Sequence, residues 1–229
     1  LAGVDTIGVV NLLSWNYANA PRLLAEMLGA TPKDEVYTAI GGNSPQSLVD
    51  DTAKRIARGE LGLARLAGAE GMSGVMRARR AGVRIAWGNT GAVPEPRAFG
   101  DGRPGTNDLE VRHGLFLPVQ VYPLFENAIR ARAGRTPSDH LKHLGALYAR
   151  FAAVAAQNEY AWFRTPRTAE QIATVDADNR IIAWPYPKLM NAIIDVDQGA
   201  AVLMTSVGRA KQLGVPRDRW VFLQGFGEA

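Results

Sequence analysis

A glycine-rich turn, Gly41-Gly42-Asn43-Ser44-Pro45-Gln46, lies between a run that reads as a strand, residues 34–40, and one that reads as a helix, residues 47–58. A helix that begins sharply at a strand end aims its unpaired N–H groups at one spot, and such a spot stabilises an anion or a developing oxyanion. The residues that would provide this chemistry are Gly41, Gly42, Asn43 and Ser44. The same residues also describe an ordinary capped helix, with Asn43 or Ser44 as N-cap and Pro45 in the first turn. Ser44 offers a hydroxyl, but a serine nucleophile needs a base within hydrogen-bond reach, and no base for it is identifiable in the sequence. None of the 229 residues is a cysteine, which removes a thiol nucleophile, disulfides and thiolate–metal sites together.

Other residues could contribute. Met72 and Ser73 follow a strand read over residues 61–69, at the kind of strand end where parallel sheets place ligands. Glu70 could orient the backbone there. The alternative for all three is ordinary packing. Arg77, Arg79, Arg80 and Arg84 cluster, and most such charge runs are solvated faces. His113, His140 and His143 are the only histidines. His140 and His143 lie three apart on one helix face without an evident third ligand, so the expectation is a structural role and no metal. His113 precedes Gly114 and is a candidate substrate contact. Asn158 is expected to make a structural hydrogen bond, and Trp15, with Asn16 and Tyr17, to pack the first helix.

Elements must hold these residues in place. Residues 20–29 form a helix with Leu23, Leu24, Met27 and Leu28 at helical spacing and Gly29 as its stop. Together with a strand over residues 4–10, the first 75 residues alternate strand and helix, which predicts a largely parallel α/β sheet. Residues 85–109 hold Gly88, Gly91, Gly100, Gly102, Gly105, Pro94, Pro96 and Pro104, an irregular connection. Helices follow over 118–130, over 136–159 and from Thr168, where Gln171 completes a plausible capping box. An extended stretch over 181–187, a strand over 195–204, a helix over 207–213 and a terminal strand over 219–226 complete the pattern.

The chain is 47% hydrophobic and 21% charged, an ordinary globular balance. A net charge of +4 is a mild excess and no nucleic-acid signature. No run of ~20 apolar residues predicts a membrane span, and residues 1–5 show no secretion signal. Those readings favour a cytoplasmic protein. The absence of an initiator Met and a strand at the last residues are expected of a piece of a longer protein.

The order of these motifs resembles the thiolase superfamily. In that family a helix of this kind leads to a Gly-x-Glu-x-Met-Ser stretch, here Gly68-Ala69-Glu70-Gly71-Met72-Ser73. Its core resumes in an Asp-Gly-Ala-Ala-Ala-Val strand, to which Asp197-Gln198-Gly199-Ala200-Ala201-Val202 is similar. Residues 148–161 and 168–172 most resemble the sterol-carrier-type branch. True thiolases hold Cys-x-Ser-Gly at the turn; alignment puts Gly42 at the cysteine, Ser44 at the serine and Pro45 at the glycine. The family's second-half segments, His-Glu-Ala-Phe-like, Gly-His-Pro and Cys-x-Gly, do not occur.

The resemblance implies the first, incomplete half of an α/β thiolase-like layered fold. Residues 1–75 would form the core, 76–185 an inserted, mostly helical loop domain, and 186–229 the return to the core. It implies coenzyme A or an acyl-CoA as ligand or substrate rather than a resident cofactor. Gly41, Gly42, Asn43, Ser44, Met72, Ser73 and His113 would contact it, and Arg77, Arg79, Arg80 and Arg84 would hold its phosphates through guanidinium forks. The implied activity is acetyl-CoA acetyltransferase-like acyl transfer, or carbon–carbon cleavage as in a thiolase-related aldolase of lipid metabolism, without a Cys acyl-enzyme. The other reading is a non-catalytic CoA-binding or scaffold subunit. A homodimer or a protein partner is implied, since family members are often dimers.

Overall fold

The computed structural model describes residues 3–88 and 93–227, so Gly91 and the terminal residues Leu1, Ala2, Glu228 and Ala229 lie outside the described residues. The chain divides into two compact units, Leu1–Arg103 with Ile194–Ala229, and Pro104–Ile193. The first unit is built on a five-stranded sheet in the order β4-β2-β1-β3-β7. Its strands are β1 (Thr6–Val9), β2 (Asp34–Thr38), β3 (Leu63–Gly71), β4 (Arg97–Phe99) and β7 (Asp197–Thr205). β1 pairs in parallel with β2 and β3, β2 in parallel with β4, and β7 runs antiparallel to β3. The expected largely parallel α/β sheet is therefore what the chain forms.

The central strand Thr6-Ile7-Gly8-Val9 is buried throughout, as a parallel strand covered on both faces must be. Strand alternation sends Ile7 and Val9 to one face, where α1 (Ala20–Leu28) packs with Leu63, and sends Val36 and Leu66 to the other, where Leu48 of α2 (Ser44–Ala57) meets them. Leu48 is 2% exposed, and burying such a side chain stabilises by roughly 2–3 kcal/mol. This contact holds α2 against the sheet.

Several expectations change here. α2 starts at Ser44, three residues earlier than the sequence suggests, because the Ser44 N–H already closes a turn on the Gly41 carbonyl. An unexpected helix, α3 (Met72–Arg80), follows β3 directly. Part of the irregular connection is strand β4, pinned to β2 by the Arg97 guanidinium on both Asp34 oxygens at 3.0 Å and by the Ala39 N–H on the Phe99 carbonyl at 2.7 Å. Burial raises the Asp34 carboxyl, but the Arg97 and Arg55 hydrogen bonds outweigh it and hold it below the usual carboxylate range. With α3 and β4 in the first unit, the second unit runs from Pro104, whereas the sequence places an insertion over 76–185. Among the described residues the terminal run 219–226 forms no strand and meets no ladder partner; Arg217 instead stacks on Trp220 and Phe222.

The second unit is mostly helical, with α4 (Asp108–Arg112), α5 (Pro118–Arg132), α6 (Pro137–Gln157) and α7 (Ala169–Ala173), and a small antiparallel pair, β5 (Ile181–Ala183) and β6 (Tyr186–Pro187). The Thr168–Gln171 capping box is present. Leu144, Ile172 and Met190 form its core. α8 (Val207–Gln212) returns in the first unit after β7.

Tyr186 donates to Glu126 Oε2 at 2.5 Å, and the fully buried His140 meets Glu126 Oε1 at 2.9 Å. Burial, and then the hydrogen bond and negative charge of Glu126, push the Tyr186 phenol far above its ordinary value. A raised folded-state value gives stability that is complete below the unfolded value, about 10, and is lost as pH climbs toward the folded one. Thermal stability should therefore fall as pH rises above about 10, and Tyr186→Phe should flatten that slope. The same alkaline slope in the variant would contradict this.

Candidate functional site

The strands β1, β2 and β3 end at one edge of the sheet, and the three segments that follow them meet there. β2 and β3 flank β1, so their ends lie two strand spacings apart, about 10 Å.

After β2 comes the turn into α2. Gly41, Gly42 and Asn43 are exposed, and Ser44 is 6% exposed. The Ser44 hydroxyl donates to the Ala39 carbonyl at 2.9 Å, so it braces the turn. Asn43 is the N-cap residue by position, but its side chain makes no capping hydrogen bond. Of the first four helix residues, Ser44 gives its N–H to Gly41 at 3.1 Å, Pro45 has none, and Ser47 gives its own to Asn43 at 3.0 Å. That leaves, among the described residues, the Gln46 N–H without an acceptor at the start of α2. A Cβ built on Gly42 meets nothing within 4 Å, so the position aligned with the thiolase cysteine is open.

After β3 comes α3. Met72 and Ser73 are half-buried, and the opening amides of this helix are already used. The Gly74 N–H donates to Asp197 Oδ1 at 3.0 Å and the Ser73 N–H to the Val196 carbonyl at 3.4 Å. Arg77, Arg79 and Arg80 occupy the last turn of α3, where cations complement the helix dipole. They and Arg84 are exposed, and Arg80 pairs with Asp195 at 3.2 Å.

The segment after β1, residues 10–19, lies between the other two; the sequence pointed there only to Trp15, Asn16 and Tyr17 as helix packing, and not to Asn11 or Ser14. The Asn11 N–H donates to Thr38 Oγ1 at 3.0 Å and its side-chain amide to the Thr38 carbonyl at 3.1 Å. The Leu12 N–H donates to the Tyr37 oxygen at 3.2 Å. Burial, with the nearby charge of Glu70 adding to it, raises the Tyr37 phenol. On the β3 side, Glu70 accepts from the Leu13 N–H at 2.6 Å and the Ser14 N–H at 2.8 Å, and Ser14 Oγ accepts from the Gly71 N–H at 3.1 Å. Glu70 does orient backbone, though that of a loop 56–57 residues away. The signal available beforehand was position alone: Asn11 and Ser14 directly follow a buried strand in a fold that binds ligands at strand ends.

Tyr17 packs on the α1 side of the sheet, while Trp15 meets the Trp87 ring edge-on, with centroids 5.4 Å apart. The remaining candidates lie in the second unit. His113 caps α4 and is exposed. His140 is taken up by Glu126, with His143 stacked beside it at 6.1 Å. Asn158 makes the expected structural bond, accepting from the Tyr160 N–H at 3.0 Å. Among the described residues no group of three or more His, Asp or Glu could hold a metal ion, and no helix is long and apolar enough to cross a membrane.

A relative that shares this fold shows the family, and the chain is a thiolase-like protein. It is 36% identical to a monomeric SCP2-thiolase-like protein type 1 from Mycobacterium smegmatis, over 98% of this chain and 41% of that one, with a TM-score of 0.73. The chain thus spans less than half the length of that relative. A second solved structure, the Ltp2–ChsH2(DUF35) aldolase, shares the fold at 17% identity and a TM-score of 0.56, over 91% of this chain and 46% of that one. No family model and no curated protein matches the chain.

Proposed function

We propose that the strand-end site of the first unit binds the thioester group of an acyl-CoA. The observation that carries this reading is the open backbone at Gly42, at the start of a 14-residue helix whose N-cap side chain makes no capping bond. A thioester oxygen there would face the Gln46 amide and the positive end of α2. Arg77, Arg79 and Arg84, exposed on and after α3, would meet the phosphates.

The chemistry this supports is acyl transfer or carbon–carbon cleavage without a covalent acyl-enzyme at the turn. The chain has no cysteine, and the one hydroxyl there donates to a carbonyl. Aldol-type cleavage needs an oxyanion site and a base but stores no acyl group on the protein; the base would come from outside this chain segment or from a partner protein. A second reading, a CoA-binding subunit without catalysis, is favoured by the commitment of Ser44 to Ala39. Either role belongs to a cytoplasmic protein of lipid metabolism. Titration of coenzyme A and acetyl-CoA by calorimetry should give saturable heat that weakens between low salt and about 0.15 M, where charges more than about 8 Å apart are screened. A folded protein that gives no heat with either ligand would overturn both readings.

A further inference from the structure

We infer that Glu70 is the positioning residue of this site, holding the loop after β1 as the floor against which the acyl part of the ligand rests. The inference depends on the thioester reading above. Both Glu70 oxygens are engaged, one by the Leu13 N–H and one by the Ser14 N–H, at 2.6 and 2.8 Å. Charge-assisted bonds of this kind to two successive amides fix a peptide plane in position and direction. Ser14 answers by accepting from Gly71, so the loop and the end of β3 are clasped from both sides.

The clasp sets what stands on either flank. Toward β2, Asn11 is tied to Thr38 through two bonds, next to the strand end that feeds the Gly41–Ser44 turn. Toward β3, Trp15 directly follows the clasped residue and meets Trp87, whose ring lies 3.0 Å from where a Cβ on Gly71 would sit. The clasped loop thus carries an indole contact on its β3 side and hydrogen-bonded backbone on its β2 side. The Trp15 Nε1–H is buried, and among the described residues no acceptor meets it. Buried donors are rarely left unpaired; this one is closed off from solvent, so it belongs to the packing beneath the loop.

Glu70→Gln tests the inference. It keeps the size of the side chain but turns one acceptor into an amide donor facing an N–H, so one of the two bonds is lost. The wild type should bind acetyl-CoA more tightly than coenzyme A. The variant should bind coenzyme A unchanged and acetyl-CoA about tenfold more weakly, the size of a lost charge-assisted hydrogen bond. A purely structural glutamate would lower the melting temperature and leave the preference for acetyl-CoA intact, which would overturn the inference alone. A wild type that binds neither ligand would overturn the thioester reading itself. If Glu70→Gln does not fold, Ser14→Ala removes only the Gly71 bond and should cut the acetyl-CoA preference about threefold; an unchanged preference there would overturn the inference equally.

Discussion

A cysteine placed at position 42 should titrate about one to one and a half pH units below the ordinary thiol value of about 8.5. The effect follows from three features of the turn. The built Cβ at Gly42 meets nothing within 4 Å, so the thiol enters without displacing anything. It stands beside the opening of a 14-residue helix that has no acidic residue in its first turn and no N-cap side-chain bond, so no negative charge of the first turn offsets the positive end of α2. The chain has no other cysteine, so an alkylation rate measured against pH reports this thiol alone. A midpoint near pH 7 is the expected result. A midpoint at or above 8.5 would mean that the α2 amides do not face the side chain of residue 42, and the thioester site would lose its main support.

The largest expected effect on stability lies in the second unit. Gly145 is buried inside α6, where glycine ordinarily weakens a helix by about 1 kcal/mol relative to alanine. It is tolerated because α7 crosses there: a Cβ on Gly145 would sit 2.5 Å from the Ala169 carbonyl oxygen and 3.0 Å from the Ala173 Cβ. The first obstacle is backbone, which cannot turn aside as a long side chain can. Gly145→Val should therefore force α7 off α6 and expose Leu144 and Ile172, costing about 3 kcal/mol or more. Denaturant unfolding of the variant should show an earlier transition. An unchanged midpoint would show that α7 has room to move, contrary to the geometry.

Much of the local structure around the candidate site was legible in the sequence, and what was missed shares a cause. The turn before α2 could be read because its glycines, Asn43, Ser44 and Pro45 are local signals, and the Leu48 stripe follows at once. The strand leading to Glu70 could be read by its apolar run. β4 could not, since three residues beginning with Arg97 become a strand only through Asp34, 63 residues away. α3 was hidden because Gly74 and three arginines blur its periodicity. The run at 219–226 has strand-like residues, but a strand exists only where a ladder partner does. The role of Glu70 could be suspected from its motif, while what it holds, Leu13 and Ser14, depends on the sheet bringing two distant strand ends side by side. Local chemistry was visible in the chain; long-range partners were not.

The central claim is that the turn into α2, with the Gln46 amide at its mouth, receives a thioester oxygen although no sulfur stands there. Titrating acetyl-CoA into the protein labelled with nitrogen-15, and following its backbone amides by NMR, tests this most directly. The predicted result is saturable shifts that are largest at Gly42, Asn43 and Gln46, with smaller ones at Leu13 and Ser14. Saturable binding that leaves those three amides unmoved would contradict the claim.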